Sequence, residues 1–275
     1  MFARWLSALA VILIALRPAV AEPQDGLARL SAALHLPEVL GVMRQEALDY
    51  GQSLEQTLFP GQGGQAWSAE VAKIYEPAAL QADLLRRLQQ MLPADRIPAM
   101  LAFFETPLGQ RIVVGEIAAR GALRDPAEQE RARALLATMI ETKDPKLAQI
   151  VEFARANDLV ESNVAAAMNS DVAFYRGLIA GHAKGFTMDG SRILAEVSSQ
   201  QGVIRQDTEN WLFPFLALAY ERLSEADLAA YLAFSRSGPG QALNAALFGA
   251  IDDIFLDRSL TLGKAAARYL GGSAL

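Results

Sequence analysis

Two stretches of this chain are the same stretch written twice. Leu92 to Gln110 reads LPADRIPAMLAFFETPLGQ, and 131 residues later Leu223 to Gln241 reads LSEADLAAYLAFSRSGPGQ. Identity falls at Leu92/Leu223, Leu101/Leu232, Ala102/Ala233, Phe103/Phe234, Gly109/Gly240 and Gln110/Gln241. Ile97/Leu228 and Met100/Tyr231 keep apolar character. Leu-Ala-Phe and Gly-Gln at one internal spacing are hard to reach by chance. A weaker echo at a shift of 120 links Leu27-Ala28 to Leu147-Ala148 and Glu38-Val39-Leu40 to Asp158-Leu159-Val160. Duplication of this kind implies two similar modules that bury a face against each other.

Each copy reads as a helix, a break and a second helix. Ser224 is a good N-cap, with Asp227 three residues on in a near capping box. Leu228, Tyr231 and Leu232 then follow at i, i+3, i+4, the stripe of a half-buried helix. Ser237-Gly238-Pro239 stops it. In the first copy Ile97, Met100, Leu101 and Phe104 form the stripe, and Thr106-Pro107 restarts the helix as N-cap and first-turn proline. Gly109 and Gly240 stand at equivalent places, where a missing side chain lets one helix approach another closely.

Asp125-Pro126 and Asp144-Pro145 open two more helices, 126–142 and 145 onward. Period-two alternation is nearly absent; Arg111 to Ile117 (RIVVGEI) comes nearest to a strand. The expected fold class is all-α, two tandem helical repeats forming a pseudo-symmetric helical bundle. The first module spans 22–124, a connecting helix or linker 125–145, and the second module 146–275. Phe59 to Gln65 and Gly177 to Gly190 read as glycine-rich loops.

Residues 1–21, MFARWLSALAVILIALRPAVA, carry Arg4, a twelve-residue apolar run from Trp5 to Leu16, and the small-x-small step Ala19-Val20-Ala21. This is the pattern of a cleaved signal peptide. The run is shorter than the ~20 residues a bilayer core requires. Cleavage leaves 254 residues and takes the net charge from −6 to −8, because Arg4 and Arg17 leave with the segment. Export to the periplasm is therefore the expected location, with the extracellular space as the alternative. Trp211 to Tyr220 (WLFPFLALAY) is too short to span and reads as a buried helix, so no transmembrane segment is expected after cleavage.

The repeated helix-break-helix resembles an exported bacterial family, domain of unknown function number two thousand and fifty-nine. The family pattern is an acidic helix start, an apolar helix ending in an aromatic, Ser or Thr with Pro, then Gly. The first copy carries it in Phe103, Phe104, Thr106, Pro107 and Gly109, and the second in Ser224, Glu225, Leu228, Phe234, Ser237 and Gly240. Gly238-Pro239 stand where the family has a proline followed by an apolar residue, and Ser235 where an aromatic is usual. The likeness covers about residues 90–115 and 221–250. It implies a helical, exported, usually periplasmic protein, and it implies no reaction; the internal match makes this chain two tandem copies of the family unit.

Composition closes off several chemistries. The chain has no cysteine and two histidines, so there is no thiolate ligand or nucleophile, and a three-histidine zinc site cannot be assembled. Twenty-five basic residues against 31 acidic, without clustering, exclude a nucleic-acid binder. The carboxylate groups Asp252, Asp253, Asp257 and Glu152, Asp158, Glu161 suit acid–base work or a hard cation, but no calcium-loop spacing accompanies them and a solvated helix face explains them better. His35 and His182 have no nucleophile elbow to serve. The glycines at 61, 63 and 64 match a phosphate cradle in composition alone. Trp67, Tyr75 and Trp211 fit ordinary core better than the walls of an inter-module cleft.

No residue is thus singled out as catalytic, cofactor-binding or metal-ligating, and no cofactor is expected. The reading is a non-enzymatic interaction or scaffold protein of the cell envelope, whose partner is another envelope protein. The alternatives are a carrier of a small apolar ligand held between the repeats and a carboxylate-dependent hydrolase.

Overall fold

The computed structural model describes residues 23–271; residues 1–21, expected from sequence to be a signal peptide, lie outside them. The protein is 85% helical, with no strand among the described residues. The helices run α1 (Pro23–Ala33), α2 (Leu36–Leu58), α3 (Gly64–Ile74), α4 (Pro77–Met91), α5 (Ile97–Phe104), α6 (Pro107–Ala122), α7 (Pro126–Thr142), α8 (Pro145–Ala156), α9 (Leu159–Ala180), α10 (Gly190–Ser199), α11 (Gln201–Ala219), α12 (Glu225–Arg236) and α13 (Gly238–Leu270).

Local chemistry sets many of these boundaries. α4, α6, α7 and α8 each begin with proline, whose missing N–H costs nothing in a first turn. The preceding residue caps each one. Glu76 accepts from the N–H groups of Ala78 and Ala79, Thr106 from Gly109, Asp125 from Ala127 and Asp144 from Lys146. Ser224 and Asp227 make the full reciprocal capping box at α12. The segment RIVVGEI is helical and lies within α6. Its apolar residues fall on the helix period: Ile112 and Val113 are buried while Val114 is exposed.

Packing explains two further features. The segment WLFPFLALAY lies in α11 and its C-cap. It is apolar nearly all round because α11 touches α6, α7, α8 and α9 at once. Pro214 sits buried inside that helix. The Gly177–Gly190 loop is shorter than the sequence suggests. α9 continues to Ala180, and Gly177 is a packing residue. A Cβ placed at Gly177 would stand 2.8 Å from the Cα of Gly263 on α13, so the two helices cross backbone to backbone.

One hydrophobic core runs through the whole bundle, from Leu27 in α1 to Tyr269 in α13. At one end Phe59, Trp67 and Tyr269 pack ring against ring, with centroids 5.0 to 5.4 Å apart. Trp67 is fully buried, and its indole N–H donates to the Gly51 carbonyl at 2.7 Å. No helix among the described residues is long and apolar enough to cross a membrane.

Candidate functional site

The two matched segments form two corners of the same construction, α5–α6 and α12–α13. At the first, the Thr106 hydroxyl donates to the Phe103 carbonyl at 2.7 Å and accepts from the Gly109 N–H at 3.0 Å. At the second, the Ser237 hydroxyl donates to the Phe234 carbonyl at 2.6 Å and accepts from the Gly240 N–H at 3.1 Å. Both glycines are sterically required. A Cβ on Gly109 would lie 2.6 Å from the Phe104 Cα, and one on Gly240 would lie 2.9 Å from the Ser235 Cα. The close approach is made with the helix just before the corner.

The glutamine after each glycine ties its corner to a distant helix end. Gln110 donates through Nε2 to the carbonyls of Phe104 and Ala33, the last residue of α1. Gln241 donates through Nε2 to the carbonyls of Ser235 and Ala156, the last residue of α8. Ala33 and Ala156 are 123 positions apart, so these helix ends correspond at 123 rather than at 120. The residue entering the next helix is left-handed in both places, His35 before α2 and Asp158 before α9.

The corners meet each other. The rings of Phe103 and Phe234 stack with centroids 4.3 Å apart and planes 13° from parallel. Phe104 meets Phe234 edge-on at 5.2 Å. Tyr231 lies 5.8 Å from Phe103 and 4.7 Å from Phe153. Aromatic side chains therefore fill the space between the two corners.

One carboxylate is set into this cluster. Glu116 of α6 accepts from the Tyr220 hydroxyl at 2.7 Å and from the Tyr231 hydroxyl at 3.2 Å. Both tyrosines are buried, while Glu116 keeps a partial exposure along the helix. Burial raises its carboxyl to about 7, and the two phenolic hydrogen bonds pull the other way without cancelling it. Burial, and then the neighbouring carboxylate, push both phenols well above their ordinary range. Near neutrality Glu116 can hold or release a proton inside the junction. Sequence reasoning missed this trio because its members lie 104 and 115 positions apart.

The residues weighed from sequence are dispersed. Asp253 and Asp257 both accept from Arg87 of α4, at 2.7 and 2.6 Å, and pin α13 to that helix. Asp252 faces Asn169 of α9, and burial raises its carboxyl. Glu152 is paired with Arg155 and Arg236, which hold its carboxyl down at about 2. Glu161 is paired with Arg205 and also lowered. His35 reaches the Gln110 side chain at 2.9 Å. Gln110 spends its N–H groups on carbonyls, so the His35 Nε2–H is the donor in that pair. His182 sits in the turn after α9 with a positive φ of 57°. Glu55 accepts from the N–H groups of Gly63 and Gly64, so a carboxylate of the chain itself occupies the glycine cradle. Trp67 and Tyr75 are core. Trp211 instead lines an open cleft of 360 Å³.

Residues 78–138 match the profile of a family described as "Uncharacterized protein conserved in bacteria (DUF2059)". The match supports the family resemblance over α4 to α7; the segment 223–241 lies outside it. Comparison with curated proteins and with solved structures gave no match.

Proposed function

We propose that this protein is a non-enzymatic interaction or scaffold protein of the cell envelope, exported through a cleaved segment 1–21 and built as two diverged tandem repeats. The repeats are 22–124 and 146–275, joined through 125–145. The likeness of the two corners supports the duplication: the same hydroxyl cap, the same glycine and the same glutamine tie recur in both. The order of helices supports it too. α1 to α6 and α8 to α13 run in parallel, with α7 between them.

The observation that carries the functional reading is the filled junction. Phe103, Phe104, Phe153, Tyr231 and Phe234 occupy the place where a carried apolar ligand would sit. What is left for binding is the outer surface. There Ile140 of α7 and Val151 of α8 are 58% and 48% exposed, as is Val114 of α6 at 53%. Four of the carboxylates weighed for a hydrolase, Glu152, Glu161, Asp253 and Asp257, are instead held by arginines.

Photo-crosslinking in living cells tests this. A photoreactive phenylalanine analogue is placed at Val114, Ile140 or Val151. At least one position gives an adduct of discrete mass with a single envelope protein. Failure of all three to give an adduct contradicts the reading.

A further inference from the structure

The cleft at Trp211 opens where α6 ends and α2, α9 and α11 converge. It is lined by Glu46, Arg120, Leu123, Arg124, Asn163 and Trp211. Its charged groups are paired. Arg120 donates from Nε and Nη2 to the two oxygens of Glu46, at 2.9 and 2.7 Å. Its guanidinium carbon lies 5.7 Å from the centroid of the Trp211 ring, a cation–π contact. Arg124 donates from Nε and Nη2 to one oxygen of Asp49, at 3.0 and 2.8 Å. Each guanidinium therefore keeps its Nη1 group without a protein partner among the described residues. Asn163 uses its amide nitrogen on the Leu159 carbonyl, which leaves its side-chain oxygen as an acceptor. Trp211 is 38% exposed, and Phe215 stacks behind it at 5.0 Å.

This arrangement selects a ligand chemistry. Two arginines against Glu46 and Asp49 make the site neutral overall, and it offers both donors and acceptors. An anion would gain from the two free Nη1 groups but would face two carboxylates at the same distance scale. A purely apolar ligand would strip water from four charged side chains and return no hydrogen bond. Hydroxyl groups donate and accept, and the C–H groups of a sugar ring suit the part of the indole that stays open to solvent. The volume falls within the small-ligand range, about 300–1,000 Å³. We propose that this cleft binds a neutral carbohydrate, one or two sugar rings of a larger glycan.

The inference stands apart from the partner-binding reading, since Ile140 and Val151 line no part of the cleft. Its test uses cellobiose, maltose and N,N′-diacetylchitobiose, with glucuronate and inorganic phosphate as anionic probes. Trp67 is fully buried and Trp5 is absent from protein prepared without residues 1–21, so in that protein a ligand-dependent change in tryptophan emission reports Trp211. At least one neutral disaccharide gives a saturable change, and the two anions give none. In calorimetry, Trp211→Ala and Asn163→Leu each weaken that binding by about tenfold or more, with unchanged circular dichroism. Asn163→Leu keeps the arginine clamps, so it remains informative if Trp211→Ala fails to fold. No saturable response to any of the three disaccharides overturns the proposal. So does equal binding of the anions, or binding that both variants retain in full.

Discussion

α13 against α9 and α6 against α2 are two places where the helix after a corner meets a long helix, and they are joined in opposite ways. α13 runs for 33 residues and crosses α9 at Gly177 and Gly263 with no side chain between the backbones. α6 stops after 16 residues and is tied to α2 by charged pairs, Arg120 of its last turn with Glu46 and Arg124, just past its end, with Asp49. At the offset of 123 that relates the helix ends, the counterpart of Gly177 is Leu54, a buried side chain of α2. Close backbone contact leaves no room for a cleft. A short helix that ends in arginines leaves one, and Trp211 looks into it. The helix after one corner thus closes a seam, and the helix after the other leaves an open cleft.

The largest expected effect lies in the seam. Gly177→Leu drives a side chain into the backbone at Gly263 and Lys264, and should cost about 3 kcal/mol or more in chemical denaturation. A variant as stable as wild type would show that the helices can separate freely, and the contrast with α6 would disappear.

Next come the corners themselves. Gly109→Leu and Gly240→Leu each overpack a turn and should each lose about 2 kcal/mol. Similar losses sharpen the equivalence of the corners; a neutral result at one alone breaks it.

Glu116 gives a third effect, with a definite sign. Its carboxyl in the folded protein holds a proton up to about 7, whereas an ordinary one in the unfolded chain releases it near 4.5. Between those values the folded state binds more protons, so this group's contribution to stability falls as pH rises through the window. Glu116→Gln removes that loss. Relative to wild type the variant should gain on the order of 2 kcal/mol between the bottom of the window and its top. Denaturant midpoints measured across the window check it, and a wild-type-to-variant difference that ignores pH contradicts it.

The smallest effect is at the caps. Thr106→Ala and Ser237→Ala each remove a hydroxyl that accepts from a glycine N–H and should cost about 1 kcal/mol, read as a fall in melting temperature.

What could be read in advance follows from the range of each interaction. Caps act over two or three residues, so Asp125, Asp144 and the Ser224–Asp227 box were legible in the sequence. The corners were legible because they are written twice. The offset of the upstream helices differs by three positions from the sequence echo, since the carbonyls of Ala33 and Ala156 that define it carry no side-chain signature. RIVVGEI looked strand-like only while the partners of α6 were unknown. Glu116 was passed over because nothing near it in sequence tells of Tyr220 and Tyr231. Of Trp67, Tyr75 and Trp211, only Trp211 reaches solvent. What distinguishes it from Trp67 is where α6 stops, a fact of packing that lies far from either residue.

The face-to-face meeting of the two corners is the claim on which the rest depends, and the stacked pair Phe103–Phe234 tests it most directly. A double-mutant cycle with Phe103→Leu, Phe234→Leu and the double variant, read by chemical denaturation, should give a coupling of about 1 kcal/mol. Losses that simply add, with no coupling beyond error, would mean that the two rings do not meet in solution.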